Sequence, residues 1–127
     1  VIVEIKKPDT PLFKKQQNRA NSWKLSNELI ESYSQILEQK ASAQIKFETN
    51  QSKNFDNEGK LVIQKMYDPK CILIIGNLTK ELDILSDQDK MIKQKTFELF
   101  RRDSRNIEII TYDELYSRTK FIVGNSK

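Results

Sequence analysis

The apolar run at residues 71–76, CILIIG, restricts the fold more than any other stretch of the chain. A short continuous apolar run predicts a central strand that is covered on both faces. Residues 86–89, SDQD, are typical of a helix N-terminus, and we predict a helix to about Asp103 with a core stripe of Ile92, Thr96, Leu99 and Phe100. Residues 107–111 predict another strand. Strand, helix and strand at this spacing predict a parallel, right-handed crossover and an α/β fold.

The first eight residues, VIVEIKKP, predict a second apolar strand that Pro8 ends, because proline has no N–H for the ladder. Side chains alternate across a strand, so Glu4 and Lys6 share one face with Ile2. The strand otherwise has the composition of a buried one. Charged side chains are seldom buried unless they are paired or bound to a metal.

This spacing suits phosphodiester cleavage. The Glu4 carboxylate and the Ile5 carbonyl are oxygen ligands of the kind that Mg²⁺ prefers. Lys6 is placed to stabilise an attacking hydroxide or the charge that builds on a phosphate. Glu-x-Lys also occurs in ordinary edge strands as a surface ion pair, and the three letters alone favour that interpretation.

The helix after the N-terminal quarter is predicted from its cap and its apolar spacing. Ser26 is the expected N-cap, and the helix is predicted to run to about Lys40. Its predicted stripe is Leu25, Leu29, Tyr33, Ile36 and Leu37. Gln35 lies beside that stripe, where it is either a ligand of the site or an ordinary flanking residue.

The rest of the chain is predicted to contain two more strands and a last helix. Residues 43–49 and 60–67 alternate enough to be strands, with a polar excursion between them. Residues 14–24 are polar, and Arg19 and Trp23 are the notable residues among them. A last helix opens at Tyr112 with Thr111 as its cap, and Gly124 is predicted to lie just past its end.

Composition excludes several kinds of site. With 127 residues, the chain is predicted to be one domain, 1–127. It has no histidine, which removes His-dependent triads and nearly all zinc sites. The single cysteine favours a reducing cytoplasm, and no run is long enough for a membrane span. The chain begins with Val1 inside a strand, so we expect a piece of a longer protein.

Positive charge is concentrated around the Glu-Ile-Lys strand. Residues 1–24 carry six positive and two negative side chains, whereas the rest of the chain is balanced. DNA or RNA is therefore a reasonable partner for this end. The residues expected to contact it are Lys7, Lys14, Lys15 and Arg19. A solvated basic loop explains the same pattern equally well.

Several motifs in order along the chain together resemble the PD-(D/E)xK nuclease superfamily and, more narrowly, the nuclease domain of the Shedu antiphage defence family. They are VEIKKP at residues 3–8, LSNEL at 25–29, Gln35-Ile36, PKCILIIG at 69–76 and IITYDEL at 109–115. Their order is far more specific than Glu-x-Lys alone.

The resemblance implies a restriction-endonuclease-like mixed sheet flanked by helices, without the N-terminal part of its core. It implies a metal-dependent endodeoxyribonuclease in which Glu4 binds Mg²⁺ or Mn²⁺, Lys6 is the catalytic lysine and Gln35 is the helix glutamine beside them. DNA is the implied partner. The superfamily places another acidic ligand on an upstream strand that this chain does not contain, so whether the chain alone is active stays open.

Two other classes of function fit the sequence. One is a nucleic-acid-binding module that keeps the fold without catalysis. The other is a homo-oligomerisation domain, in which the helices form an interface and Glu4 and Lys6 are a structural ion pair.

Overall fold

The computed structural model describes residues 1–19, 22–49 and 69–125. The strands are β1 (Ile2–Ile5), β2 (Phe13–Arg19), β3 (Ser22–Leu25), β4 (Cys71–Ile74) and β5 (Ile107–Ile110). The helices are α1 (Asn27–Thr49), α2 (Leu78–Leu82), α3 (Asp87–Asp103) and α4 (Tyr112–Asn125). No helix in the described part of the chain is both long and apolar enough to span a membrane.

The central element is a parallel three-stranded sheet in the order β1-β4-β5. The prediction of an α/β fold with a parallel β4–α3–β5 crossover is confirmed. The register pairs Glu4 with Leu73 and Leu73 with Ile109, so these side chains lie on one face of the sheet. Helix α1 contacts β1 and β4 on the buried side, where Leu29 and Ile36 are fully buried.

The opposite face of the sheet is more open than the sequence predicts. Val1, Val3 and Ile5 are 79%, 46% and 64% exposed, so the expectation of a buried β1 is wrong for this face. Ile72 and Ile74 of β4 are half-buried, whereas Cys71 and Leu73 are completely buried. The reason is positional, because β1 lies at the edge of the described sheet and only one of its faces meets α1.

Residues 14–24 contain strands that the sequence analysis missed. Strands β2 and β3 pair antiparallel with an irregular register. Their sequences are polar, and what holds them is tertiary packing: Phe13 is buried, and Trp23 and Leu25 pack against the core.

Two predicted boundaries are also wrong. Residues 43–49 continue α1 and are not a strand, because no Gly or Pro interrupts residues 27–49 and the short alternation is compatible with a helix. Gly124 lies inside α4 and not beyond its end. The predicted strand at 60–67 and the polar excursion before it lie outside the described residues.

The buried side of α3 is rotated from the predicted stripe. Its buried residues are Lys93 and Phe97, whereas Leu99 is exposed. The predicted cap is confirmed, since the Ser86 hydroxyl accepts a hydrogen bond from the Asp89 N–H at 3.2 Å.

The turn after β4 depends on Gly76. Its φ is +66°, a conformation that side chains disfavour. A Cβ there would lie 2.8 Å from both Leu12 Cδ2 and the Thr10 carbonyl oxygen. The turn thus brings the backbone of residue 76 against the loop that follows β1.

Asp113 fixes the same turn from the side of α4. Its Oδ1 accepts from the Leu78 N–H at 3.0 Å, and its Oδ2 accepts from the Thr79 hydroxyl at 2.8 Å. Burial raises the pKa of Asp113, but hydrogen bonds from Thr111, Thr79 and the Leu78 N–H outweigh burial and hold that pKa below its ordinary value.

We expect Gly76→Ala to lower the free energy of unfolding by about 2–4 kcal/mol, because it adds backbone strain to a steric clash. Gly124→Ala is the matched control, since nothing lies within 4 Å of its added Cβ. It should leave stability unchanged or raise it by up to ~1 kcal/mol. Urea unfolding of both variants tests this, and equal stabilities would contradict the role given to Gly76.

We expect Asp113→Asn to flatten the acid limb of the stability curve. A carboxyl whose pKa is lowered by folding stabilises the fold above its unfolded pKa, near 3.9, and that contribution is lost as the pH falls through the folded value. The wild-type advantage over Asp113→Asn should therefore be full at pH 6 and shrink below about pH 4. A constant difference in urea-unfolding free energy between these pH values would contradict it.

Candidate active site

The structure brings Glu4, Lys6 and Gln35 together. The Lys6 Nζ lies 3.1 Å from Oε1 of Glu4 and 3.3 Å from Oε1 of Gln35. The side chains of Lys6 and Glu4 are 33% and 18% exposed, so the pair is partly screened by the protein while still reaching solvent. The sequence analysis predicts that these three residues form one site, and their positions agree; their chemical roles stay predictions.

Two elements place these side chains. Strand β1 directs Glu4 to the face that α1 covers, and Lys6 follows just after the strand on the same side. The start of α1 is fixed as predicted, because the Ser26 hydroxyl accepts from the Leu29 N–H at 3.0 Å. The same hydroxyl donates to the Pro11 carbonyl at 2.6 Å, which ties α1 to the loop after β1. Gln35 is therefore held over the end of β1.

The backbone at Lys6 and Lys7 is held from several sides. The Lys6 N–H donates to the Ile74 carbonyl at 2.8 Å, and the Lys6 carbonyl accepts from the Tyr112 hydroxyl at 2.6 Å. The Lys7 carbonyl accepts from the N–H groups of Gly76 and Thr10, each at 3.2 Å. The backbone of Lys6 is therefore held in position by β4, by α4 and by the loop that follows β1.

Glu81 positions the rest of that loop. Its Oε1 accepts from the N–H groups of Leu12 and Phe13, at 3.1 and 2.9 Å, and its Oε2 accepts from Leu12 at 2.9 Å. A single carboxylate from α2 therefore satisfies two consecutive backbone donors at the point where the loop enters β2.

An open cavity of about 470 Å³ adjoins the site. The residues that line it come from the end of β1, the following loop and α1, and they are Ile5, Lys6, Lys7, Thr10, Glu28, Glu31, Ser32 and Gln35. Its size allows a group of a substrate to reach Lys6 and Gln35.

Two oxygens near Lys6 are of the kind that Mg²⁺ binds. Bonding in a parallel ladder alternates, so the N–H groups of Ile2 and Lys6 face β4 and the Ile5 carbonyl faces the outer edge. The Glu4 carboxylate and the Ile5 carbonyl could hold Mg²⁺ as two of its oxygen ligands, and this binding stays a prediction. In residues 1–19, 22–49 and 69–125, no three acidic or cysteine side chains are grouped to hold a metal ion.

The predicted nucleic-acid contacts are placed as follows. Lys7 is exposed and lines the cavity of the site. Lys14 and Lys15 are exposed on β2 and line a second cavity on the other side of the loop. The side chain of Arg19 lies outside the described part of the chain. The sequence alone does not reveal the positioning residues Tyr112, Gly76 and Glu81, because nothing in a local pattern signals a bond to a residue 69 or 106 positions away.

We expect Glu81→Ala to lower the free energy of unfolding by about 2–3 kcal/mol, because it leaves two partly buried N–H groups without an acceptor. Asp83→Ala is the matched control, since Asp83 is an exposed acid just after the same helix. It should change stability by no more than about 0.5 kcal/mol. Urea unfolding measures both, and a loss below 0.5 kcal/mol for Glu81→Ala would refute the assignment.

Comparison with known proteins places the chain in a family. The family model described as "Shedu protein SduA, C-terminal" matches residues 1–116. The chain is 28% identical over 123 residues to Shedu protein SduA of Bacillus cereus (strain B4264), in an alignment that covers 97% of the chain and 30% of that protein. The chain thus spans about 30% of the length of this relative. Because the family model matches most of its residues, the chain belongs to the Shedu protein SduA family, in the C-terminal part that the model describes.

Proposed function

We propose that this chain is the catalytic domain of a metal-dependent nuclease that hydrolyses DNA phosphodiester bonds in antiphage defence. The observation that carries the proposal is the contact of the Lys6 Nζ with both Glu4 and Gln35 beside an open cavity. Membership of the Shedu family supports the defence role. The parallel sheet with helices is compatible with a restriction-endonuclease-like core.

Lys6 is the group that acts on the phosphate. Its ammonium has three N–H donors, one of which donates to Gln35, and it forms an ion pair with Glu4. A donor that is not used by Gln35 is available to a phosphate oxygen. Lys6 thereby stabilises the negative charge that develops as the diester is attacked.

Glu4 and Ile5 are the residues of this chain that would hold Mg²⁺ or Mn²⁺. When bound, the metal supplies Lewis-acid polarisation of a phosphate oxygen and a more acidic water. Gln35 keeps the Lys6 ammonium in position by accepting its hydrogen bond. The chain spans about 30% of the length of its relative, so the proposal concerns the full-length protein.

A nucleic-acid-binding module without catalysis is the second candidate function. The specific observations in its favour are two. Glu4 is the acidic side chain that pairs with Lys6. In the described residues, no three side chains are grouped so that they could bind a metal ion. It predicts salt-dependent DNA binding with no cleavage from the full-length protein in Mg²⁺ or Mn²⁺.

We expect Glu4→Ala and Lys6→Ala to abolish DNA cleavage by the full-length protein, with rate losses of at least about 10²–10³-fold, because each removes a charged group from the reacting centre. Gln35→Ala should reduce the rate less, since Gln35 acts through Lys6. A plasmid-nicking assay with Mg²⁺ measures all three.

Glu38→Gln on α1 and Lys24→Gln on β3 are the controls, because both side chains are exposed and neither lines the cavity. Both should cleave as the wild type does. Wild-type nicking by Glu4→Ala and Lys6→Ala would refute the catalytic assignment.

A further inference from the structure

We propose that the groove around Lys93 binds a backbone phosphate of the DNA strand, one or more nucleotides away from the phosphate that is cleaved. This inference rests on the proposed function and adds a second contact point for the same strand. It assigns a binding role to residues of α2 and α3 that lie outside the Glu4–Lys6–Gln35 site.

Lys93 is a buried cation that pairs with none of the described carboxylates. Lys93 lies in the middle of α3 and is 7% exposed. Its Nζ lies 4.2 Å from the ring centroid of Trp23 and 5.1 Å from that of Phe13. The ion pairs of the described residues involve other cations. Lysine is almost never this buried without an anion, and ring contacts offset only part of the cost. An anion from outside would complete the site.

The groove next to Lys93 is positively charged. It is a cavity of about 380 Å³ to which Lys14, Lys15, Lys80 and Lys93 contribute. Its acidic residues are Asp9 and Glu81. Both oxygens of Glu81 already accept hydrogen bonds from the N–H groups of Leu12 and Phe13. With four lysines and two acidic residues in its lining, the groove carries a net positive charge.

A phosphodiester group matches this chemistry. It carries one negative charge and only acceptor oxygens, which ammonium groups bind as point charges. Trp23, whose ring contacts the Lys93 ammonium, has a buried Nε1 without a hydrogen-bond partner among the described residues. No other buried side-chain nitrogen or oxygen in the described part of the chain is left in this state.

The position of the groove connects it to the candidate active site. Thr10 lines both cavities, and residues 7–11 lie between them. Both cavities lie past the carboxyl ends of β1 and β4, the edge at which open α/β sheets bind ligands. A strand that crosses this loop can have one phosphate at Lys6 and another at Lys93.

Trp23 reports directly on the groove, because it is the only tryptophan of the chain and contacts the Lys93 ammonium. The experiment titrates the 127-residue chain, without metal, with a dT12 oligonucleotide and separately with inorganic phosphate at equal ionic strength. We expect dT12 to change Trp23 emission saturably. Saturation by inorganic phosphate without saturation by dT12 would overturn the proposal, because the groove would then take a free phosphate.

Variants identify the lysine that matters. Lys93→Gln should weaken dT12 binding by at least about tenfold, and it should lower the slope of log affinity against log salt by roughly 0.7. Lys93→Arg should retain binding. Lys95→Gln is the matched control, an exposed lysine of the same helix that does not line the groove, and it should bind within about twofold of the wild type. Wild-type affinity in Lys93→Gln would overturn the proposal.

Lys80→Gln covers the case in which Lys93→Gln does not fold, as judged by circular dichroism. Lys80 is exposed on α2 and lines the same groove, so its loss should weaken dT12 binding several-fold. If Lys93→Gln is unfolded and Lys80→Gln binds as the wild type does, the proposal is overturned.

The failure of this inference and the failure of the proposed function give different results. Metal-free binding does not depend on cleavage, so Glu4→Ala should still bind dT12. Loss of nicking in Glu4→Ala together with wild-type binding by folded Lys93→Gln would refute the groove alone. Weakened binding in Lys93→Gln together with undiminished nicking in Glu4→Ala would support the groove and refute the catalytic assignment.

Discussion

The parallel pairing of β1 with β4 is the constraint on which the candidate site depends. Its register places Glu4 opposite Leu73, and therefore on the face that α1 covers. A slip of one residue would turn Glu4 to the open face and bring Val3 and Ile5 under the helix. The bond from the Lys6 N–H to the Ile74 carbonyl and the bond from the Tyr112 hydroxyl to the Lys6 carbonyl oppose that slip. These bonds therefore hold the charged side chains of the edge strand on the face that α1 covers.

The loop after β1 lines both cavities, so the register of β1 determines where the loop places the residues of both. Its backbone is bonded to β4, to the Tyr112 hydroxyl of α4 and to the Glu81 carboxylate of α2. Gly76 allows the close approach, because any side chain there would meet Leu12 and Thr10. None of these bonds involves a group with a proposed chemical role. Together they fix Lys6 on one side of the loop and the lysines of β2 on the other.

The sequence predicted the parts of the site that depend on local periodicity. Alternation along β1 placed Glu4 and Lys6 on one face, and the Ser26 cap with helical spacing placed Gln35 beside a core stripe. It could not predict β2 and β3, whose polar residues pair because Phe13 and Trp23 pack against the core. Lys93 was overlooked on α3 for a related reason. A hydrophobic pattern does not count lysine as a core residue, and only the aromatic rings from the hairpin make its burial possible.

The low cost of separating Glu4 from Lys6 is compatible with the role proposed for the pair. Ion pairs that reach solvent contribute only about 0–1 kcal/mol, and both side chains here are partly exposed. Their positions are held by other interactions, since the Lys6 backbone is bonded to Ile74 and Tyr112. In the proposed function, the Glu4 carboxylate would exchange the ammonium for a metal ion without loosening β1. Lys6 would remain beside it, held by Gln35, with its donors directed to an incoming phosphate. A pair that contributed more to stability would resist that exchange.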